Sequence, residues 1–248
     1  MRRHFWLLIL IAALAAGCAS AKTKKEQADK TRSLGEAFLV EEKFPQAFRE
    51  FEKAKQLNPK DPLLYYDMGI FYHKKKELDL AIESYQKAVR LNPDFGAAIN
   101  NLGGLYMEKG EWDKAIETLK PITESFIYAT PHFPNFLMGQ AYYHKKEYIR
   151  AVERFEKTLE LQPDYVFARH WLGKTYLAMG LTDKAVKTLE QAVEKGPSVA
   201  VFYLDLGKAY IMAKDLKKAD AAFGRAASLA TDEDLKKEAL AARQAIRK

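Results

Sequence analysis

Apolar and small residues recur along the chain in a fixed order that repeats about every 34 residues. A large apolar residue precedes a glycine, an aromatic residue stands three positions after that glycine, and an alanine stands twelve positions after it. The glycines are 34, 34, 36, 34 and 34 residues apart: Gly35, Gly69, Gly103, Gly139, Gly173 and Gly207. Self-similarity at a period of this length is typical of stacked-repeat proteins, in which each unit packs on its neighbours.

The glycines and prolines of the repeat predict short helices that pack closely. Glycine in a helix interior costs about 1 kcal/mol relative to alanine, so six glycines at one phase indicate close approach between helices. Prolines are expected to end the second helix of most repeats: Pro59, Pro93, Pro163 and Pro197. A helix of about 14 residues is marginal alone in water, so we expect stability to come from packing against neighbouring repeats.

This pattern resembles the tetratricopeptide repeat, a helix–turn–helix unit. With the glycine at position 8, the repeats begin at Ala28, Pro62, Gly96, His132, Val166 and Ala200. The resemblance implies an all-α fold, a right-handed superhelical solenoid of six repeats over 28–233 with a C-terminal capping helix at 234–248. Position 24 then holds a large side chain in every repeat: Phe51, Tyr85, Leu119, Phe155, Leu189 and Phe223.

The third repeat departs from the pattern. Pro121 stands inside its predicted second helix, and Pro131 and Pro134 follow shortly after, so we expect an interrupted helix and a bent connection. The two extra residues of the 36-residue spacing fall in this connection. The irregularity is either a packing adjustment or a special surface, and the sequence favours neither.

The amino terminus is not part of the repeats. Arg2 and Arg3 precede an apolar run that is too short to span a bilayer, so 1–17 is predicted to be a signal peptide. The run ends before Cys18, which resembles the cleavage site of a bacterial lipoprotein. The resemblance implies that Cys18 is lipidated, that 18–27 is a tether, and that the protein faces the periplasm from the outer membrane. The alternative is an ordinary signal peptide cleaved nearby.

Charge and cysteine content restrict the remaining possibilities. The chain has a formal net charge of +7, and removal of Arg2 and Arg3 with the signal peptide leaves +5. Lysines alternate with glutamates along the predicted helices, which is typical of solvated helix faces, so nucleic acid is not an expected partner. Because Cys18 is the only cysteine, no internal disulfide is expected.

The sequence contains no arrangement of residues that predicts catalysis. The histidines lie apart, without a His-x-x-x-His spacing or a cysteine pair, and no glycine-rich phosphate loop is present. We therefore expect no enzyme activity, no metal, no cofactor and no small-molecule substrate.

Partner binding is the favoured function. In tetratricopeptide arrays the first helix of each repeat lines a concave groove, mainly through positions 2, 5, 9 and 12. The resemblance implies that these positions, with position 6 of two repeats, form an apolar and aromatic groove for a peptide or helix, although about half are expected to pack against the next repeat instead. The groove residues are Leu63, Tyr66, Ile70, Asn100, Asn101, Met107, Phe133, Phe136, Tyr143, Phe167, His170, Trp171 and Leu177.

The whole chain resembles the type IV pilus biogenesis and stability lipoproteins, the pilotins of the PilF/PilW/Tgl group. The most particular matches are Asn100-Asn101-x-Gly103 and the join from Tyr128 to Pro131. The resemblance implies that the protein binds secretin subunits, is held to the membrane by its lipid, and promotes localisation and assembly of the secretin in the outer membrane. The alternative is a general periplasmic scaffold lipoprotein that organises cell-wall enzymes or exopolysaccharide export.

Overall fold

The computed structural model describes residues 22–123 and 130–247, and this part of the chain is all α-helical. Helix α1 occupies 22–40. The helices that follow are α2 (Phe44–Leu57), α3 (Pro62–Lys74), α4 (Leu78–Leu91), α5 (Gly96–Glu108), α6 (Trp112–Thr123), α7 (His132–His144), α8 (Tyr148–Leu161), α9 (Val166–Ala178), α10 (Thr182–Lys195), α11 (Ala200–Met212), α12 (Leu216–Leu229) and α13 (Glu233–Ala245). The all-α fold predicted from the sequence is confirmed.

The chain divides within α5 into two compact units, one up to Leu105 and one from Tyr106 onward. In the first unit α3 packs against α2 and α4. In the second unit the two helices of each repeat pair, as α7 with α8, α9 with α10 and α11 with α12, and each pair also contacts the next. This is the nearest-neighbour packing expected of helical repeats.

The repeat glycines allow a large side chain of the second helix to lie directly on the first helix. A Cβ atom added at Gly69 would stand 2.5 Å from the ring of Tyr85, which is only 1% exposed. The position-24 residue fills this place wherever the contact is described: Phe51 on Gly35, Tyr85 on Gly69, Phe155 on Gly139, Leu189 on Gly173 and Phe223 on Gly207. The predicted close approach is thus explained by one buried side chain per repeat.

The turn between the two helices of each repeat has the same hydrogen-bonded geometry throughout. The position-15 residue has a positive φ in all six repeats: Glu42, Lys76, Gly110, Lys146, Gly180 and Lys214. In the second repeat, the N–H of Lys76 donates to the carbonyl of His73, and the N–H of Glu77 donates to the carbonyl of Tyr72. This is the Schellman motif that ends many helices. The aromatic residue three positions after the glycine therefore supplies the carbonyl that closes the turn.

The prolines act as predicted at the end of the second helix. Asn58, Asn92 and Gln162 each precede a proline and follow the last helical residue, and their N–H groups donate to the carbonyl of the position-27 residue. The position-27 side chains Ala54, Ala88 and Thr158 are buried.

Two segments differ from the expectation. Residues 22–27, part of the predicted tether, are helical and exposed, because Lys, Glu and Gln favour helix and extend α1 in its N-terminal direction. Pro121 does not end α6, which continues to Thr123. Ile122 and Thr123 are buried after it, so packing retains this turn against the cost of the proline. The remainder of the irregular connection, 124–129, lies outside the described residues, as do the signal peptide and Cys18.

The cap helix predicted over 234–248 corresponds to α13, which begins at Glu233. The side chain of Asp232 caps it by accepting from the N–H of Leu235. Ala239 is fully buried against the preceding helices, whereas Arg243 and Arg247 both reach Asp220 on α12. Within the described ranges, the helices are too short or too polar to cross a bilayer.

Candidate partner-binding surface

Polar pairs join the first helices of successive repeats in the first unit. Arg32 donates to Asp67 at 2.6 Å, and the amide of Asn101 donates to the hydroxyl of Tyr66 at 3.4 Å. Each pair joins position 5 of one repeat to position 6 of the next, 35 residues later. The amide of Asn101 also lies 3.3 Å from the hydroxyl of Tyr85, the residue that covers Gly69. Tyr66 and Asn101, both predicted groove residues, are therefore half-buried and bonded to each other.

The second unit has a pair of the same kind. Nε2 of His170 lies 2.8 Å from Oδ2 of Asp205, and both side chains are buried. Burial by itself would raise the pKa of Asp205, but the hydrogen bond and charge of His170, with the charges of Lys208 and Lys174, hold that pKa below its ordinary value. His170 was expected to line an open groove; instead it is 4% exposed, because its ring stacks on Phe202 and bonds to this carboxylate.

Asn100 occupies position 5 without such a partner. Its side-chain oxygen is buried and accepts no hydrogen bond within the described part of the chain. In the sequence, position 6 of the longer-spaced next repeat is Leu137, an apolar residue, where the other pairs have a polar one. Aligning positions 5 and 6 in the sequence would have found both the paired and the unpaired residues.

Gly104, four residues after Asn100 on α5, differs from the repeat glycines. A Cβ added there would meet nothing within 4 Å. It occupies position 9, where the other repeats hold larger side chains such as Ile70 and Lys174. Packing within the described chain therefore gives no reason for this glycine.

Large apolar side chains at position 2 of the first helices are exposed to solvent. Leu63 is 44%, Phe133 40% and Phe167 46% exposed. The remaining predicted groove residues are partly buried: Ile70, Asn100, Met107, Phe136, Tyr143, Trp171 and Leu177. The structure shows how far each of these side chains is buried. The role of these residues in binding a partner stays a prediction.

Aromatic rings connect the exposed side chains of the second unit. Tyr165, which the sequence reasoning missed, lies between three predicted residues, with ring centroids 5.9 Å from Phe133, 5.1 Å from Phe136 and 6.3 Å from Phe167. We call these four rings the aromatic patch. Tyr165 precedes α9 and follows the helix-ending Pro163, so the inter-repeat turn brings it to this surface. The sequence signal that could have identified Tyr165 was an aromatic residue directly before the first residue of a repeat.

A lysine lies over two other rings of the second unit. Nζ of Lys174 is 4.6 Å from the ring centroid of Trp171 and 5.6 Å from that of Tyr143, and these two rings meet edge to face at 5.2 Å. Both distances are within the range of cation–π attraction. Lys174 is at position 9, so it belongs to the same face of the first helices as Phe167 and Leu177.

The described residues contain no cluster of three side chains able to hold a metal ion. What the surface offers is exposed apolar area, aromatic rings and one lysine, which are the groups that commonly form protein–protein contacts.

Comparison with known proteins agrees with this architecture. Family models of the tetratricopeptide repeat match residues 62–95, 84–117 and 142–203. No curated protein sequence matches the chain.

Solved structures with the same fold include two pilus proteins. The crystal structure of PilW, described as a widely conserved type IV pilus biogenesis factor, is 19% identical and covers 85% of this chain and 97% of its own, with a TM-score of 0.74. PilF of Pseudomonas aeruginosa is 20% identical and covers 88% of this chain and 99% of its own, also with a TM-score of 0.74. The crystal structure of MamA is 27% identical and covers 68% of this chain and 91% of its own, with a TM-score of 0.60.

The family models, the glycine-centred hairpins and the shared folds lead to one conclusion: the chain contains tetratricopeptide repeats, and it resembles the type IV pilus biogenesis factors in fold.

Proposed function

We propose that the chain is an outer-membrane lipoprotein adaptor of type IV pilus biogenesis. Its repeats bind secretin subunits on the periplasmic side, and a lipid on Cys18 holds the complex to the membrane while the secretin localises and assembles. The observation that carries the proposal is the length of the shared fold, since PilW and PilF are matched over 97% and 99% of their own chains.

The proposed mechanism combines tethering with recognition. A triacylated cysteine would give stable membrane anchoring, since a single acyl chain holds a protein only marginally. The exposed side chains Leu63, Phe133 and Phe167 supply apolar area that a partner can bury. Burial of about 400 Å² would contribute roughly 10 kcal/mol before the association cost of about 4–15 kcal/mol, which supports moderate and selective binding.

The test is to follow the secretin in cells that produce the full chain, the Cys18→Ser variant or the Phe133→Ala/Phe167→Ala variant. We expect secretin multimers to leave the outer-membrane fraction in both variants, because one loses the anchor and the other loses apolar contact area. Ile149→Ala is the matched control, since Ile149 is 70% exposed on a second helix, away from the predicted groove positions.

Secretin that remains multimeric and in the outer membrane without this chain would contradict the proposal. Recovery of cell-wall or export enzymes with the wild-type chain, and their loss with Phe133→Ala/Phe167→Ala, would instead support the general scaffold.

A further inference from the structure

Two charged side chains on α11, Lys208 and Asp205, are in ion pairs. Lys208 lies 3.3 Å from a carboxylate oxygen of Asp205 and 3.0 Å from one of Glu238. Asp205 in turn is bonded to His170. Lys174 forms no ion pair among the described residues, and its charged end lies over the two rings of Trp171 and Tyr143. The charge of Lys174 is thus held over the two rings without a direct ion pair among the described residues, although it also acts on Asp205.

The two rings hold this charge in a defined position. Trp171 and Tyr143 are partly buried and pack against the core of the second unit, so they do not move freely. A cation over such rings is attracted to their faces, and this reduces the number of rotamers that the lysine populates. An incoming carboxylate would therefore meet an ammonium group that is already placed, which reduces the ordering cost of forming the pair.

Exposed apolar rings lie on the first helices that carry this charge and precede it. Phe167 lies on the same helix as Lys174, seven residues earlier. Its ring centroid is 5.6 Å from that of Phe202 and 6.3 Å from that of Tyr165. The ring centroid of Phe133 is 5.9 Å from that of Tyr165. The first helices of two adjacent repeats therefore present apolar area and the charge of Lys174.

We propose that this face of α7 and α9 binds an apolar segment of a partner protein that carries one acidic side chain, Asp or Glu. The apolar residues of the segment pack on Phe133 and Phe167, and its carboxylate pairs with Lys174. The inference rests on the proposed function only in that the repeats bind protein, and it does not require the partner to be a secretin.

Other chemistries fit this face less well. A basic segment would be repelled by Lys174, and a wholly apolar segment would cover the ammonium group without a compensating partner, which is unfavourable. Charge complementarity thus selects an acidic position within an apolar segment, and it contributes to specificity as well as to affinity.

The test uses a random peptide library displayed on phage and selected against the full chain in mild detergent. We expect peptides selected on the wild-type chain to be enriched in one Asp or Glu flanked by large apolar residues. Selection on Lys174→Met should keep the apolar enrichment and lose the acidic one. Lys184→Met is the matched control, because Lys184 also lies over a ring, that of Tyr176 at 5.4 Å, but on the second helix of its repeat.

A binding cycle on one selected peptide completes the test. Replacing its acidic residue by the amide should weaken binding to the wild-type chain about fivefold and leave binding to Lys174→Met unchanged. The inference would be overturned if the peptides selected on the wild-type chain lacked an acidic residue. It would also be overturned if Lys174→Met selected the same acidic peptides, or if no peptide were selected at all.

A second copy of this chain is the other possible occupant. Light scattering that shows a dimer of the wild-type chain and a monomer of Lys174→Met would assign the face to self-association and overturn the inference. A failure of the secretin experiment would leave these outcomes unaffected, since the library contains no secretin.

Discussion

The ring of Tyr85 lies on Gly69, so close that a Cβ at position 69 would stand 2.5 Å from a ring carbon. Tyr85 is buried and hydrogen-bonded to Asn101, so the ring cannot move aside cheaply. This contact is the reason that the first helix carries a glycine although glycine disfavours helix.

The Gly69→Ala substitution should therefore destabilise the first unit by about 1–3 kcal/mol, the usual cost of an overpacked core. The matched control is Gly104→Ala on α5, where a Cβ meets nothing within 4 Å. It should stabilise the chain by up to about 1 kcal/mol through helix propensity. Urea unfolding followed by circular dichroism measures both, and equal effects of the two substitutions would contradict this account.

Replacing Lys76 by glycine should stabilise the chain. Lys76 has a φ of 60°, a left-handed conformation that costs a residue with a side chain roughly 1–2 kcal/mol. Glycine removes that cost but adds flexibility to the unfolded chain, so a net gain of about 0.5–1 kcal/mol is expected. Gly110 and Gly180 already occupy the same turn position in other repeats.

The neighbouring Lys75→Gly serves as its control. The backbone of Lys75 has a right-handed helical conformation, with a φ of −78°, so glycine at this position should lower the free energy of unfolding. Denaturant unfolding of the two variants should give changes of opposite sign. A loss of stability in Lys76→Gly as well would show that the left-handed turn is not strained.

Asn100 and Asn101 should respond oppositely to leucine. Asn100→Leu removes a buried oxygen that lacks a partner and should stabilise the chain by about 1 kcal/mol. Asn101→Leu should destabilise it by about 1–3 kcal/mol, since the hydroxyls of Tyr66 and Tyr85 lose their bond to the amide. Thermal unfolding measures both; a stabilising Asn101→Leu would mean that the hydrogen bonds contribute nothing.

The pair of His170 and Asp205 predicts a dependence of stability on pH. The folded-state pKa of Asp205 lies below its ordinary value, so the stability that its charge contributes is fully present above the unfolded pKa of about 3.9. That contribution falls as the pH falls through the folded pKa, since the unfolded chain then binds the additional proton.

The comparison that isolates this effect is with Asp205→Asn, which keeps the shape and removes the charge. The difference in free energy of unfolding between wild type and variant should shrink as the pH falls from 5 to below about 4. Urea titrations at several pH values in this range provide the measurement. A difference that grows over this range would contradict the lowered pKa.

The sequence predicted the architecture because its signals are local and repeated. The spacing of Gly69, Tyr72 and Ala81 recurs in every repeat, and each of these residues has one packing role, so the helices and turns follow from it. The pairs between helices were missed because Arg32 with Asp67 and His170 with Asp205 differ in residue type, and only their common 35-residue separation relates them.

The candidate surface was predictable only in outline. Position in the repeat identified Phe133 and Phe167 as first-helix side chains, but it could not separate them from His170, which shares their face and is buried. Exposure depends on the side chain that the next repeat places opposite, here Asp205 and Phe202. That dependence on a neighbour 35 residues away is absent from a pattern read one repeat at a time.

The pairs between positions 5 and 6 also restrict how such a chain can be rearranged in evolution. Three junctions carry a polar pair of different chemistry, a guanidinium with a carboxylate at Arg32 and Asp67, a phenol with an amide at Tyr66 and Asn101, and an imidazole with a carboxylate at His170 and Asp205. A duplicated or shuffled hairpin would place position-5 and position-6 side chains that do not match opposite each other. Polar atoms would then be left without a hydrogen-bond partner. The hairpins share one shape, yet they are not interchangeable modules, and their order along the chain is itself specified.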